Sequence, residues 1–104
     1  MTRPELLAEI KARLTKTHGA RLKGIVLYGS EARGDARQDS DIDILVLLEG
    51  PVDDLNDLKS SLHAVYPLSL EIGRQISVTP VDADEYERVW CPLYESAHSE
   101  GAPL

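Results

Sequence analysis

Gly24-Ile25-Val26-Leu27-Tyr28-Gly29-Ser30, followed a short connection later by Ser40-Asp41-Ile42-Asp43-Ile44-Leu45-Val46-Leu47-Leu48, is the stretch whose reading decides the fold. The first run is apolar and stops at a Gly-Ser turn, which reads as a strand over residues 24–29. The second reads as a strand over 41–48. Its uninterrupted apolar run from Ile44 to Leu48 marks an interior strand covered on both faces. Asp41 and Asp43 stand at its start, where acids are otherwise depleted. Residues two apart on a strand point to the same face, roughly 6–7 Å from each other. Two carboxylates placed so repel unless a cation lies between them. Two-metal phosphoryl-transfer sites hold their ions roughly 3.5–4 Å apart, a spacing that such a pair can bridge. The Gly29-Ser30 turn, at the end of the neighbouring strand, can aim backbone N–H groups at a phosphate.

Outward from this centre, the remaining elements have local signals. Thr2-Arg3-Pro4-Glu5 reads as a helix start, with Thr2 as N-cap and Glu5 closing a capping box. Leu6, Leu7, Ile10 and Leu14 then share one helical face, and Gly19 ends the helix. Glu49-Gly50-Pro51 is a turn. The spacing predicts a second helix over 52–66, with Val52, Leu55, Leu58, Leu62 and Val65 as its apolar stripe. A third strand falls within 70–80, centred on Gln75 to Thr79. Asp82 can cap a helix running through Tyr86 and Trp90, with Glu85 in the reciprocal position. Pro92 opens a last helical turn that Gly101 ends. The expected order is αββαβαα. The fold class is α/β in the broad α+β sense: a small mixed sheet with helices packed against it, one domain over residues 1–104.

Composition narrows the function. A chain of 104 residues suits one domain with a modest core. Its formal net charge is −7, with eleven Lys and Arg scattered among eighteen Asp and Glu. Proteins that grip nucleic acid by its phosphates show a basic footprint. None is visible, so direct nucleic-acid binding and templated polymerisation are not expected. The acidic surface suits a basic partner or aids solubility. Cys91 is the single cysteine, so no internal disulfide forms, which agrees with a reducing, cytoplasmic setting. The N-terminus lacks the apolar core of a signal peptide, and no apolar run approaches membrane-spanning length. His18, His63 and His98 show no ligand spacing with one another or with Cys91, so no zinc site is expected. Tyr28, Tyr66, Tyr86, Tyr94 and Trp90 read as core or rim.

The pattern Gly-Ser, three residues, Gly, then Ser-Asp-x-Asp resembles the nucleotidyltransferase superfamily that includes DNA polymerase beta. It is most similar to the minimal nucleotidyltransferases, small single-domain bacterial and archaeal proteins. The likeness is most specific over residues 25–48. It implies a nucleoside triphosphate as substrate, bound through Gly29 and Ser30, and two Mg2+ ions held by Asp41 and Asp43, which are also the catalytic acids. It further implies transfer of a nucleoside monophosphate to an acceptor hydroxyl. Arg33, which precedes Gly34, can meet phosphate in this pattern or remain an ion-paired loop residue. Ser40 can join the nucleotide site or simply cap the turn into its strand. Gly34 serves the backbone bend.

One departure matters. Active members place a third acid on a later strand, in the run Gly-Arg-Lys-Val-Asp. The matching run here is Gly73-Arg74-Gln75-Ile76-Ser77, which puts Ser77 in the place of that acid. A hydroxyl cannot act as a carboxylate base. Glu71 is the candidate surrogate. On a continuous strand it would lie roughly 20 Å from Ser77, so it serves only if the strand starts later and the chain bends. The resemblance also implies a partner. Minimal nucleotidyltransferases are often antitoxins paired with a small helical HEPN-type ribonuclease toxin. The alternative to an active transferase is therefore a catalytically impaired antitoxin-like subunit that neutralises such a toxin by binding. Small-molecule modifiers such as aminoglycoside adenylyltransferases usually carry an added helical domain, for which this chain has no room.

Overall fold

The computed structural model describes residues 1–37 and 39–104; Gln38, within the predicted Arg33-to-Ser40 loop, lies outside the described residues. The elements are α1 (Arg3–His18), a 3-10 turn (Gly19–Arg21), β1 (Leu22–Tyr28), α2 (Gly29–Arg33), β2 (Ile42–Leu48), α3 (Asp54–Ile72), β3 (Ile76–Asp82), α4 (Ala83–Arg88), α5 (Pro92–Glu100) and β4 (Ala102–Pro103). The strands form one sheet in the order β3-β2-β1-β4. β1 runs antiparallel to both β2 and β4, and β2 runs parallel to β3, so the sheet is mixed as expected.

β2 is interior, and its two-residue period divides the core. Ile42, Ile44, Val46 and Leu48 join Leu6, Ile10 and Leu14 of α1 and Val65 and Leu68 of α3 on one face. Leu45 and Leu47 join Val26, Val81, Tyr86 of α4 and Ala97 of α5 on the other. Counting back by two from Leu45 puts Asp43 and Asp41 on the α4–α5 side.

Several local expectations hold. Thr2 and Glu5 form the capping box of α1, and Gly19 is its C-cap. Asp82 caps α4 by accepting from the Asp84 and Glu85 amides. Glu85 does not reciprocate; its carboxylate accepts from the Tyr94 hydroxyl at 3.1 Å. α4 also stops at Arg88, because Val89 turns extended. Trp90, expected in that helix, is 74% exposed between α4 and α5. The last helical turn is a nine-residue helix, and its exit forms the unexpected β4.

The largest correction is α3. It was expected over 52–66, and its real extent carries it through Pro67 to Ile72. A mid-helix proline costs about 3 kcal/mol through its missing N–H and ring clash. Burial on either side, at Val65 and Leu68, offsets that cost. The stripe is also displaced. The buried positions are Asp57, Ser61, Val65 and Leu68, whereas Leu55 and Leu62 face solvent. The two polar positions are buried because each has a partner. Arg21 donates to both Asp57 oxygens at 2.9 and 3.1 Å, and Ser61 Oγ shares a 2.8 Å hydrogen bond with His18 Nε2. A pattern read from apolar residues alone misses such a face.

If α3 is anchored past its proline, truncations there should differ sharply. Leu68 is fully buried and Leu70 is 64% exposed. Leu68→Ala should cost about 2–5 kcal/mol in urea unfolding, and Leu70→Ala should stay within about 0.5 kcal/mol. Similar losses for the two would reject the continuous helix.

Candidate nucleotide and metal site

The site assembles where β1 ends and β2 begins. Tyr28, the last residue of β1, pairs with Asp43 across the antiparallel ladder. The next residue, Gly29, was expected to close the strand but opens α2 instead. It adopts φ +73°, a conformation that residues with a Cβ rarely take. A Cβ at this position would also stand 2.5 Å from Asp43 Oδ2. The backbone therefore favours glycine here, and any Cβ would also push the Asp43 carboxylate aside. Ser30 follows in the first turn of α2, where backbone amides have no intrahelical acceptor. Gly34 ends α2 in the left-handed region, its amide returning to Ser30 O.

Asp41 is exposed and Asp43 half-buried. The pKa of Asp43 is raised from its ordinary 3.8, chiefly by burial and next by the like charge of Asp41, with Arg33 opposing. The pair is thus held in an arrangement unfavourable to two bare carboxylates. The donors are hard oxygens, the type that suits Mg2+, and a divalent cation between them would relieve both the repulsion and the lost hydration. On donor chemistry and on the glycine cradle, these residues fit the metal that the sequence suggests.

Arg33 lies 3.4 Å from Asp35 and 3.6 Å from Glu100 of α5, the ion-paired role among its two readings. Ser40 Oγ accepts from the Arg37 amide at 2.8 Å, which is the turn-capping role.

Ser77 stands directly beside Asp43 in the parallel β2–β3 register, and both point to the same face. The position expected for a third acid is therefore occupied by a hydroxyl. Glu71 does not replace it. The chain does bend before β3, at the left-handed C-cap Gly73, but Glu71 lies on the exposed side of the last turn of α3. That helix covers the opposite face of the sheet. Among the described residues no three His, Cys, Asp or Glu side chains converge as a metal cluster.

The sequence reading missed Glu31 and Arg74. Glu31 is buried in α2 and accepts from Arg74 at 2.5 Å and from Arg3 at 3.1 Å. Burial pushes its pKa up, but the hydrogen bonds from Arg74 and Arg3 outweigh this and hold it below the usual range. Both residues lie inside the quoted motifs; their contact, across 43 positions, has no sequence signal.

This fold and site define a nucleotidyltransferase-type domain, a class the comparisons confirm. The family model for the nucleotidyltransferase domain matches residues 7–98. A solved structure described as a minimal nucleotidyltransferase is 32% identical, covering all of this chain and 97% of its own, with a TM-score of 0.57. The chain belongs to the nucleotidyltransferase domain family. A Methanocaldococcus jannaschii protein, provisionally named a protein adenylyltransferase, is 36% identical over 66 residues. That match spans 64% of this chain and 66% of the relative. The crystal structure of a toxin–antitoxin pair with AMP-PNP shares the fold at 19% identity and a TM-score of 0.64, covering 90% of this chain and 68% of that one. Among the described residues no helix is long and apolar enough to cross a membrane.

The electrostatics of Asp43 make a prediction for the metal-free protein. A raised folded-state pKa means that its favourable contribution is complete below the ordinary carboxylate range and is lost as pH rises through the raised value. Asp43→Asn should therefore raise the melting temperature at pH 7 in EDTA, and the gain should vanish on acidification to below pH 3.8. A lower melting temperature for the variant at pH 7 would show that Asp43 is not repelled.

Proposed function

We propose that this domain binds a magnesium–nucleoside triphosphate and transfers its nucleoside monophosphate to a hydroxyl on a partner protein. The observation that carries this reading is the pair formed by Asp43 near the start of β2 and Asp41 just before it, close enough to repel, beside the glycine turn that opens α2. The Gly29–Ser30 turn would hold the triphosphate through its amides. Asp41 and Asp43 would hold two Mg2+ ions, which when bound neutralise phosphate charge and align the acceptor oxygen. The acceptor oxygen bonds to the α-phosphorus, the bond to the β-phosphate oxygen breaks, and pyrophosphate leaves. The name of the archaeal relative supports an adenylyl group and a protein acceptor. The toxin–antitoxin neighbour supports a partner protein, for which a HEPN-type toxin is the reading we favour.

Ser77 favours a second reading. With a hydroxyl beside Asp43 and the two aspartates assigned to the ions, the proton of the attacking hydroxyl has no third carboxylate to receive it and would pass to water. The domain would then transfer slowly, or act as an antitoxin-like subunit by binding alone.

Calorimetry distinguishes nucleotide binding from turnover. Asp41→Asn and Asp43→Asn should each weaken magnesium-dependent triphosphate binding by about tenfold or more, since ligands and their supports carry effects of that size. Unchanged affinity in both variants would remove the site.

For turnover, mass spectrometry of a co-expressed partner should find added nucleotide mass. Ser77→Asp should increase it with little change in nucleotide affinity, because a base acts mainly in the transition state. Robust transfer by the native chain that Glu71→Gln abolishes would instead return the role to Glu71.

A further inference from the structure

Among the described residues, the Arg74 side chain touches both halves of the candidate site's support. It follows Gly73, the C-cap of α3, and its own carbonyl accepts from Ser69 Oγ, which fixes its backbone to the end of that helix. Its guanidinium then crosses to two other segments. Nη2 donates to Glu31 Oε1 in α2 at 2.5 Å, and Nε donates to the Ser40 carbonyl at 2.9 Å, one residue before Asp41. On the far side, Glu31 is held by Arg3 of α1, which donates both to its carboxylate at 3.1 Å and to its carbonyl at 3.2 Å. The side chains of Arg74 and Glu31 are only 17% and 10% exposed.

The geometry points to Arg74 and Glu31 as positioning residues that set the spacing between the Gly29–Ser30 turn and the Asp41–Asp43 pair. This rests on the nucleotide-binding reading above and extends it to two residues that touch neither phosphate nor metal. α2 is a five-residue helix and cannot hold its own orientation. The start of β2 is held to β3 by the bond from the Ile42 amide to Gln75 O. The planar guanidinium links the two with fixed directions, which the flexible ammonium of a lysine would not reproduce. A magnesium–triphosphate must engage the turn and the acids at once, so it senses their spacing. A metal-free nucleotide engages the turn alone.

The test is calorimetry with AMP-PNP in magnesium and in EDTA, paired with hydrogen exchange of the free protein. Arg74→Met should lower the ratio of magnesium to metal-free affinity by about tenfold, in the range seen when supports of metal ligands are lost. The amides of Gly34 and Asp35, which donate to Ser30 O at the end of α2, should lose protection while those of Ile25 to Leu27 keep theirs. Glu31→Gln should act in the same direction. Should Arg74→Met fail to fold, Arg74→Lys serves, with a smaller fall in the ratio and the same loss at α2. A general loosening would lower both affinities equally and leave the ratio unchanged, which would overturn the proposal, as would wild-type exchange in α2. If the wild-type protein shows no magnesium-dependent binding, the nucleotide reading falls; exchange at α2 then still decides whether the link holds this segment.

Discussion

β2 must satisfy opposite demands along seven residues, and the rest of the structure follows from how it does so. From Ile44 to Leu48 it is apolar on both faces and paired on both edges, so helices must cover each side. At its start the same two-residue alternation brings Asp41 and Asp43 to one face, where the covering layer leaves Asp41 open to water and Asp43 half-covered. Five residues of dense burial hold the strand against the cost of its charged end.

That cost has the character of a functional site. Burial and a like charge disfavour ionised Asp43, and Gly29 gives up a side chain so that its backbone can approach the carboxylate. The arrangement is poor for the protein alone, and on the proposed reading a bound cation would relieve it. Binding sites often carry such locally unfavourable features, which the surrounding packing sustains. Here the sustaining parts are polar as well as apolar. Glu31 is buried against Arg74 and the half-exposed Arg3, and Asp57 is buried against the half-exposed Arg21. Removing the arginine from such a pair leaves a desolvated carboxylate, which costs more than breaking a surface ion pair.

The missing acid and the acidic surface bear on each other. Ser77 puts a hydroxyl beside Asp43, so on the proposed reading the domain lacks a third carboxylate to activate the acceptor. The chain carries excess negative charge and leaves Trp90 exposed, features that the proposed protein partner would have to complement.

The capping of α1, the interior character of β2 and the glycine turn beside its start are legible in the chain. Each is a local property: a capping spacing, a two-residue period, a dihedral requirement. The sequence also placed Ser77 at the third-acid position through a short motif. Tertiary structure alone decided that α3 continues through Pro67, because buried Leu68 holds a helix that local preference would end. It alone put Glu71 on the far layer and joined Glu31 to Arg74. Those outcomes depend on which distant residues share a desolvated space, and charged residues with buried partners have no periodic signature in the chain.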